Sequence, residues 1–401
     1  MNVFNHMRKI WLWSLACFIV AGFTGAMYRW GMIASLPYDL GLQNVRHAHS
    51  HLMFFCWITP VPMAYITQHI SKHTKTAVQE LARTTWAVLL IGLISYPFFL
   101  IWGYRPANLG FAELPVSVIL SGIIMVAWYS YIRHFIKARR DVPHSIERSF
   151  YEAALFMLAL SSLGAWGVAI TQFWNLENPL YATALTHFFL ATFTEGWGVL
   201  MAVGLMFEYL KPELPKISHF WFIAPVVLGV PLLFPFGIPS DLLNPSLLLS
   251  ARIGAAIVSA GLLTILYFLS KSDIAKIWWW RVILILFGAK ILLQFTAAIT
   301  PSVFWIGEHG LRIFYLHTML LGFLTLLYFG IWHTRLFHLV KAGFKFLIMS
   351  ILLLLISLVF ISGWWPSEWL PENIYEITAL IALLPVIAAT VEWILFYKYA
   401  S

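Results

Sequence analysis

His51-Leu52-Met53-Phe54-Phe55-Cys56-Trp57, His187-Phe188-Phe189-Leu190-Ala191-Thr192-Phe193 and His317-Thr318-Met319-Leu320-Leu321-Gly322-Phe323 share one pattern. A histidine is followed by a small residue at the fifth position and an aromatic at the sixth. His51 and His187 are 136 residues apart, His187 and His317 130. A pattern returning at nearly constant spacing is an internal repeat. Its one shared polar side chain is an imidazole, a good metal ligand. A polar ring inside a bilayer costs energy and marks function. Three at equivalent places therefore point to a metal or haem centre.

The chain around these strings is built for lipid. Hydrophobic residues make up 61% of it and charged ones 10%, and mean hydropathy is +0.82, outside the range of soluble domains. A helix needs about 20 apolar residues to cross the hydrocarbon core. Twelve stretches meet that length: about 9–34, 47–70, 83–104, 112–133, 150–174, 180–210, 219–238, 246–270, 276–298, 309–335, 343–363 and 374–398. The expected fold is all-α and integral to the membrane. Twelve transmembrane helices form three pseudo-repeated four-helix units, about 1–140, 141–275 and 276–401, within a single polytopic domain 1–401. The histidine pattern falls on the second helix of each unit, hence on the second, sixth and tenth spans. If the units pack about a pseudo-threefold axis, the histidines converge. The first span follows Arg8 and Lys9, is too long for a signal-peptide core, and is expected to stay uncleaved.

The net charge of +8 reports topology. The densest basic group is Arg133, Lys137, Arg139, Arg140 and Arg148. The opposite loops carry Arg29, Arg46 and Arg105, with Asp39, Glu113, Glu177, Asp241, Glu308, Glu368 and Glu372. By the positive-inside rule both termini are cytoplasmic, the membrane is a bacterial-type inner membrane, and the three histidines sit in its outer half. The lipid bilayer is the expected partner. Nucleic acid is not, because no soluble module or aromatic-basic patch lies outside the spans. Cys17 and Cys56 both fall within spans, so no structural disulfide is expected. The absence of Cys-x-x-Cys-His excludes covalent c-type haem attachment.

The second span opens with Arg46-His47-Ala48-His49-Ser50-His51. Residues two apart on a helix point about 200° away from each other, and residues four apart share a face. His47 and His51 thus look one way and His49 the other. Either His49 and His51 ligate on opposite sides of the helix, or His51 ligates and His49 faces interfacial water. On the sixth span, Glu195-Gly196-Trp197 begins eight residues after His187. The two lie at different depths and cannot hold one metal together. Glu195 is expensive near mid-membrane and is read either as the catalytic acid, a proton-relay or metal-associated carboxylate, or as a protonated side chain bonded to a neighbouring helix. The tenth span carries Arg312 five residues before His317, as Arg46 precedes His51, and Tyr315 two before it, where the second span has His49, as a further candidate cofactor contact. Arg46 and Arg312 suit haem propionates, or they snorkel to headgroups. Lys290, Gln294, Arg252 and Glu392 mark a polar interior without an assigned role. His219 and His333 are read as interfacial.

This layout resembles the catalytic subunit of the haem-copper oxidase and nitric oxide reductase superfamily. There, helices 2 and 10 supply the axial ligands of a low-spin haem, and helix 6 reaches a second metal. Glu195-Gly196-Trp197 resembles the Glu-Gly segment of nitric oxide reductases. His49-Ser50-His51-Leu52-Met53-Phe54-Phe55 and His317-Thr318-Met319-Leu320-Leu321-Gly322 resemble strings of the NnrS family, twelve-span haem- and copper-containing membrane proteins linked to nitric oxide stress. The seventh span, Phe220 to Ile238, lacks paired histidines, so the three-histidine copper site of an oxidase is not expected. The resemblance implies haem b held by His51 or His49 and His317, and copper or another second metal at His187. It also implies nitric-oxide-related oxidoreductase chemistry, with electrons from quinol or a separate redox protein. The alternative is a proton- or metal-ion-coupled transporter using the buried His and Glu.

Overall fold

The computed structural model describes residues 3–174, 176, 178–215, 217–305, 308–335 and 341–399. Glu177, one of the expected outer-loop acids, lies outside them. Among the described residues, eleven helices are long and apolar enough to cross a membrane. They are Asn5–Trp30, Val78–Trp102, Val116–Asp141, Ile146–Thr171, Pro179–Leu210, Phe220–Gly237, Pro245–Ser270, Trp278–Ile299, His309–Thr334, Ala342–Phe360 and Ile374–Lys398. The chain is thus an all-helical, multi-pass membrane protein. The only strands among the described residues are the two-residue pairs Ala107–Asn108 and Glu113–Leu114. The stretch expected at 47–70 is helical in pieces: Leu42–Met53, a π-helical turn Phe54–Ile58, and Pro60–Ser71. Pro60 has no N–H to donate, and the run breaks at Thr59. The kinks expected around Pro225, Pro231 and Pro235 take a definite form. An α-helix, Phe220–Gly229, gives way to a 3₁₀-helix, Val230–Gly237.

The first π-containing helix starts at Leu42, five residues before the expected boundary. Its opening turn carries Gln43 and Asn44, polar residues that a hydropathy reading assigns to a loop. His51 therefore does not lie near its helix start. It is nine residues beyond Leu42, while His187 is eight beyond Pro179 and His317 eight beyond His309.

The chain forms two compact units: Met1–Pro143 with Trp332–Ile361 and Trp365–Ser401, and His144–Ile331 with Ser362–Trp364. The boundary after Pro143 lies beside the expected start of the second repeat at 141. His47, His49 and His51 belong to the first unit. His187, Glu195, Lys290, Arg312, Tyr315 and His317 belong to the second.

The aromatic of the repeat is a packing anchor in both units. Trp57, Phe193 and Phe323 are each fully buried. Trp57 meets Trp11 and Phe18 at ring separations of 5.1 and 4.9 Å. Phe323 stacks on Phe287 at 4.5 Å, and Phe193 stacks on Phe189 at 5.4 Å. Such rings supply large buried area and specific geometry. They hold in place the turn of helix that follows each histidine.

Candidate functional site

His51 and His317 are held alike. His51 Nδ1 lies 3.0 Å from the carbonyl of His47, and His317 Nδ1 lies 2.8 Å from that of Ile313. Both acceptors sit four residues back. A carbonyl only accepts, so Nδ1 carries the proton and the lone pair resides on Nε2. A carbonyl on the far nitrogen is the usual arrangement behind a ligating imidazole. His49 follows the same rule from the opposite side of its helix. Its Nδ1 donates to the carbonyl of Ala21 at 2.7 Å. Its ring lies on Gly25, where a Cβ would sit 2.8 Å from the imidazole. His51 instead packs face-on to Phe99, with ring centroids 3.8 Å apart. The two-residue spacing has turned the rings to opposite sides.

The Nε2 of His51 accepts from the Tyr104 hydroxyl at 3.2 Å. Tyr104 follows the helix that ends at Trp102 and is 42% exposed. A ligand to His51 would displace this phenol. His47 packs edge-on to Tyr104 at 4.6 Å, and Arg46 acts electrostatically on both His47 and Tyr104. His187 is seated differently. Its ring lies so close to Gly237 that a Cβ there would overlap it, and Arg312 is the charged group acting on it. Arg312, on the helix His309–Thr334, thus acts on the histidine of the helix Pro179–Leu210 within the second unit.

Each histidine is followed by π-helix: Phe54–Ile58, Ala191–Gly198 and Thr318–Thr325. Such segments are rare and concentrate at functional sites. Widening the turn leaves a carbonyl short of its usual partner. In two of the three, a threonine eight residues after the histidine supplies one. Thr59 Oγ1 donates to the Phe54 carbonyl and Thr325 Oγ1 to that of Leu320, both at 2.8 Å and both five residues back. The same position in the sixth span is Glu195. An ionised carboxylate cannot donate, so Glu195 breaks the rule that the other two repeats keep.

Glu195 is 4% exposed and has recruited other helices. Lys290 Nζ, on the helix Trp278–Ile299, lies 2.5 Å from Glu195 Oε2. The two make an ion pair rather than an aligned hydrogen bond. Lys290, itself fully buried, donates to Gln294 Oε1 at 2.5 Å. The Tyr315 phenol donates to Glu195 Oε1. Opposite charges, an amide and a phenol thus form a compact group of zero net charge inside apolar helices. This is the condition under which ionisable groups survive there. Tyr315, a candidate cofactor contact from sequence, is bound to Glu195. Lys290 had no role from sequence, although its four-residue spacing from Gln294 put both on one face. The threonine–glutamate–threonine series was readable too, two positions beyond the six-residue pattern.

One further expectation shifts. His333, read as interfacial, is 5% exposed, and its Nε2 is 3.4 Å from Glu392 Oε2. Cys17 and Cys56 are free, buried thiols in hydrogen-bond contact with each other. Among the described residues, no group of three or more His, Cys, Asp or Glu side chains is placed to hold a metal ion together. A haem iron asks less of the protein, one or two imidazole nitrogens. The tautomers of His51, His49 and His317 fit that need. No protein-family model matches the chain, and no curated protein is similar to it.

Proposed function

We propose that this chain is a haem-binding redox protein of the cytoplasmic membrane, of the NnrS or haem-copper type, acting on nitric oxide or a related small gas. The observation that carries this reading is the shared seating of His51 and His317. Each holds Nδ1–H on a carbonyl four residues back, presents the lone pair on Nε2, and is followed by π-helix. In this reading the chain spans the bilayer twelve times, counting the interrupted run Leu42–Ser71, as three four-helix repeats with both termini in the cytoplasm. His51, or His49 in its place, and His317 each ligate haem b. Arg46 and Arg312, on the same helices as His51 and His317, would pair with propionates when haem is bound. When bound, haem supplies the one-electron chemistry, and quinol or a separate redox protein supplies the electrons. Glu195, fixed by Lys290 and Tyr315, holds and releases a proton. His187 takes a second cofactor. A three-ligand copper centre finds no donor set among the described residues, so the reading rests on haem. The test is the absorption spectrum of the purified protein and of its His51→Ala and His317→Ala variants.

The buried pair of Glu195 and Lys290 favours a second reading, a proton- or metal-ion-coupled transporter. That reading requires no haem. It predicts a colourless protein that acidifies or alkalinises proteoliposomes on addition of its ion.

A further inference from the structure

Within the second unit, away from the histidine repeat, lies a cleft of about 530 Å³ lined by His144, Ser149, Glu152, Ser218 and His219 among others. It forms where the loop before the helix Ile146–Phe173 meets the start of the helix Phe220–Gly229. The His144 and His219 rings stand parallel, 10° apart in plane, with centroids separated by 5.4 Å. Two imidazoles on one tetrahedral ion, with metal–nitrogen bonds of about 2.0–2.1 Å, have ring centroids about 5 Å apart. The observed spacing is therefore already that of a chelating pair. Parallel rings aim their lone pairs along separate planes, so one ring must turn. His144 is exposed and has the freedom to do so.

The surroundings suit a cation. His219 Nδ1 lies 3.3 Å from Ser149 Oγ. With Nδ1–H donating to that hydroxyl, the lone pair is on Nε2, the second-sphere arrangement of a metal-bound imidazole. Glu147 acts electrostatically on His219, and Glu152 lies on the cleft wall. Arg148 binds one oxygen of Glu152 at 2.9 Å. The ion pair orients that carboxylate and cancels only one of the two acidic charges.

We propose that His144 and His219 bind a divalent transition-metal ion at this cleft. Its class is Zn²⁺, Ni²⁺ or Cu²⁺, the borderline ions that imidazole prefers. Water completes the shell, because these two are the only imidazoles among the described residues that line the cleft. The site is independent of the haem reading and of the transporter reading.

The experiment is calorimetric titration of the tag-free full chain in detergent with Zn²⁺, paired with Cu²⁺ electron paramagnetic resonance. The expected result is one ion per chain, nitrogen superhyperfine structure from two imidazoles, and a Kd in the micromolar range. His144→Ala and His219→Ala each weaken binding at least tenfold while melting with the wild type. His134→Ala, elsewhere in the chain, leaves it unchanged. Ser149→Ala weakens it less than loss of either ligand. No binding at 100 µM Zn²⁺, or binding indifferent to both histidine variants, overturns the proposal. So does an adventitious ion only, seen as non-stoichiometric binding reduced equally by His134→Ala.

Discussion

Glu195→Gln and Lys290→Met should each destabilise the protein, with opposite pH dependence, and together they should nearly cancel. The ion pair is 2.5 Å long and both partners are buried. Removing the carboxylate leaves a lysine charged in an apolar wall, which it can escape only by losing its proton. From a reference pKa of about 10.4, neutralising lysine at pH 7 costs about 4.6 kcal/mol. Removing the lysine leaves a glutamate that must take up a proton. From a reference of about 4.3, that costs about 3.7 kcal/mol at pH 7. Both figures fall within the ~3–5 kcal/mol found when one member of a buried pair is removed. The signs then separate the variants. Lysine is cheaper to neutralise as pH rises, so raising pH from 7 to 9 should return about 2.7 kcal/mol to Glu195→Gln. Glutamate is cheaper to neutralise as pH falls, so lowering pH from 7 to 5 should return about as much to Lys290→Met. The double variant buries no charge and keeps an acceptor for Tyr315, so it should melt near the wild type. The assay is unfolding in detergent micelles from pH 5 to 9, read as the difference from wild type at each pH. Single variants that track the wild type at every pH would refute the reasoning. So would a double variant that loses the sum of the two single losses.

Four further outcomes are expected. Gly237→Ala should displace the His187 ring, which lies against that glycine, and should remove whatever His187 holds while leaving the His51 and His317 spectral features in place. Tyr104→Phe deletes the hydroxyl on His51 Nε2 and should strengthen ligation by His51, seen as tighter haem affinity in titration. Thr59→Val and Thr325→Val each strip a donor from a π-helical carbonyl and should cost about 1–3 kcal/mol in unfolding free energy, whereas Thr264→Val, whose side chain is exposed, should cost little. Reporter fusions after Arg140 and after Asn178, on either side of the span Ile146–Thr171, should give opposite topological readouts.

The helical membrane architecture was legible because long apolar runs leave few alternatives, and most boundaries agree within a few residues. The exception is instructive. The helix from Leu42 begins with Gln43 and Asn44, and Asn44 is buried because its side-chain amide donates to the carbonyl of Ile101 at 2.8 Å. Hydropathy counts such a residue as loop, since it cannot see the carbonyl that satisfies it. The opposite facing of His49 and His51 followed from helical geometry alone. The pairing of Glu195 with Lys290 did not, because it joins helices about a hundred residues apart and no local pattern encodes the approach. The contact of Tyr315 with Glu195 was out of reach for the same reason: alignment to His49 gave its register within the repeat, while its partner is set by tertiary packing. The π-helices were beyond sequence reading, although the threonines at Thr59 and Thr325 that satisfy them repeat with the histidines.

The absorption spectrum of the full chain, purified from haem-replete cells and recorded oxidised and reduced, tests the central claim most directly. The account predicts a Soret band with low-spin α and β bands on reduction and a pyridine haemochrome of b type. His51→Ala and His317→Ala should each abolish or convert the low-spin features, while His134→Ala should retain them. A wild-type protein that is folded, melts cooperatively and carries neither haem nor bound metal would contradict it.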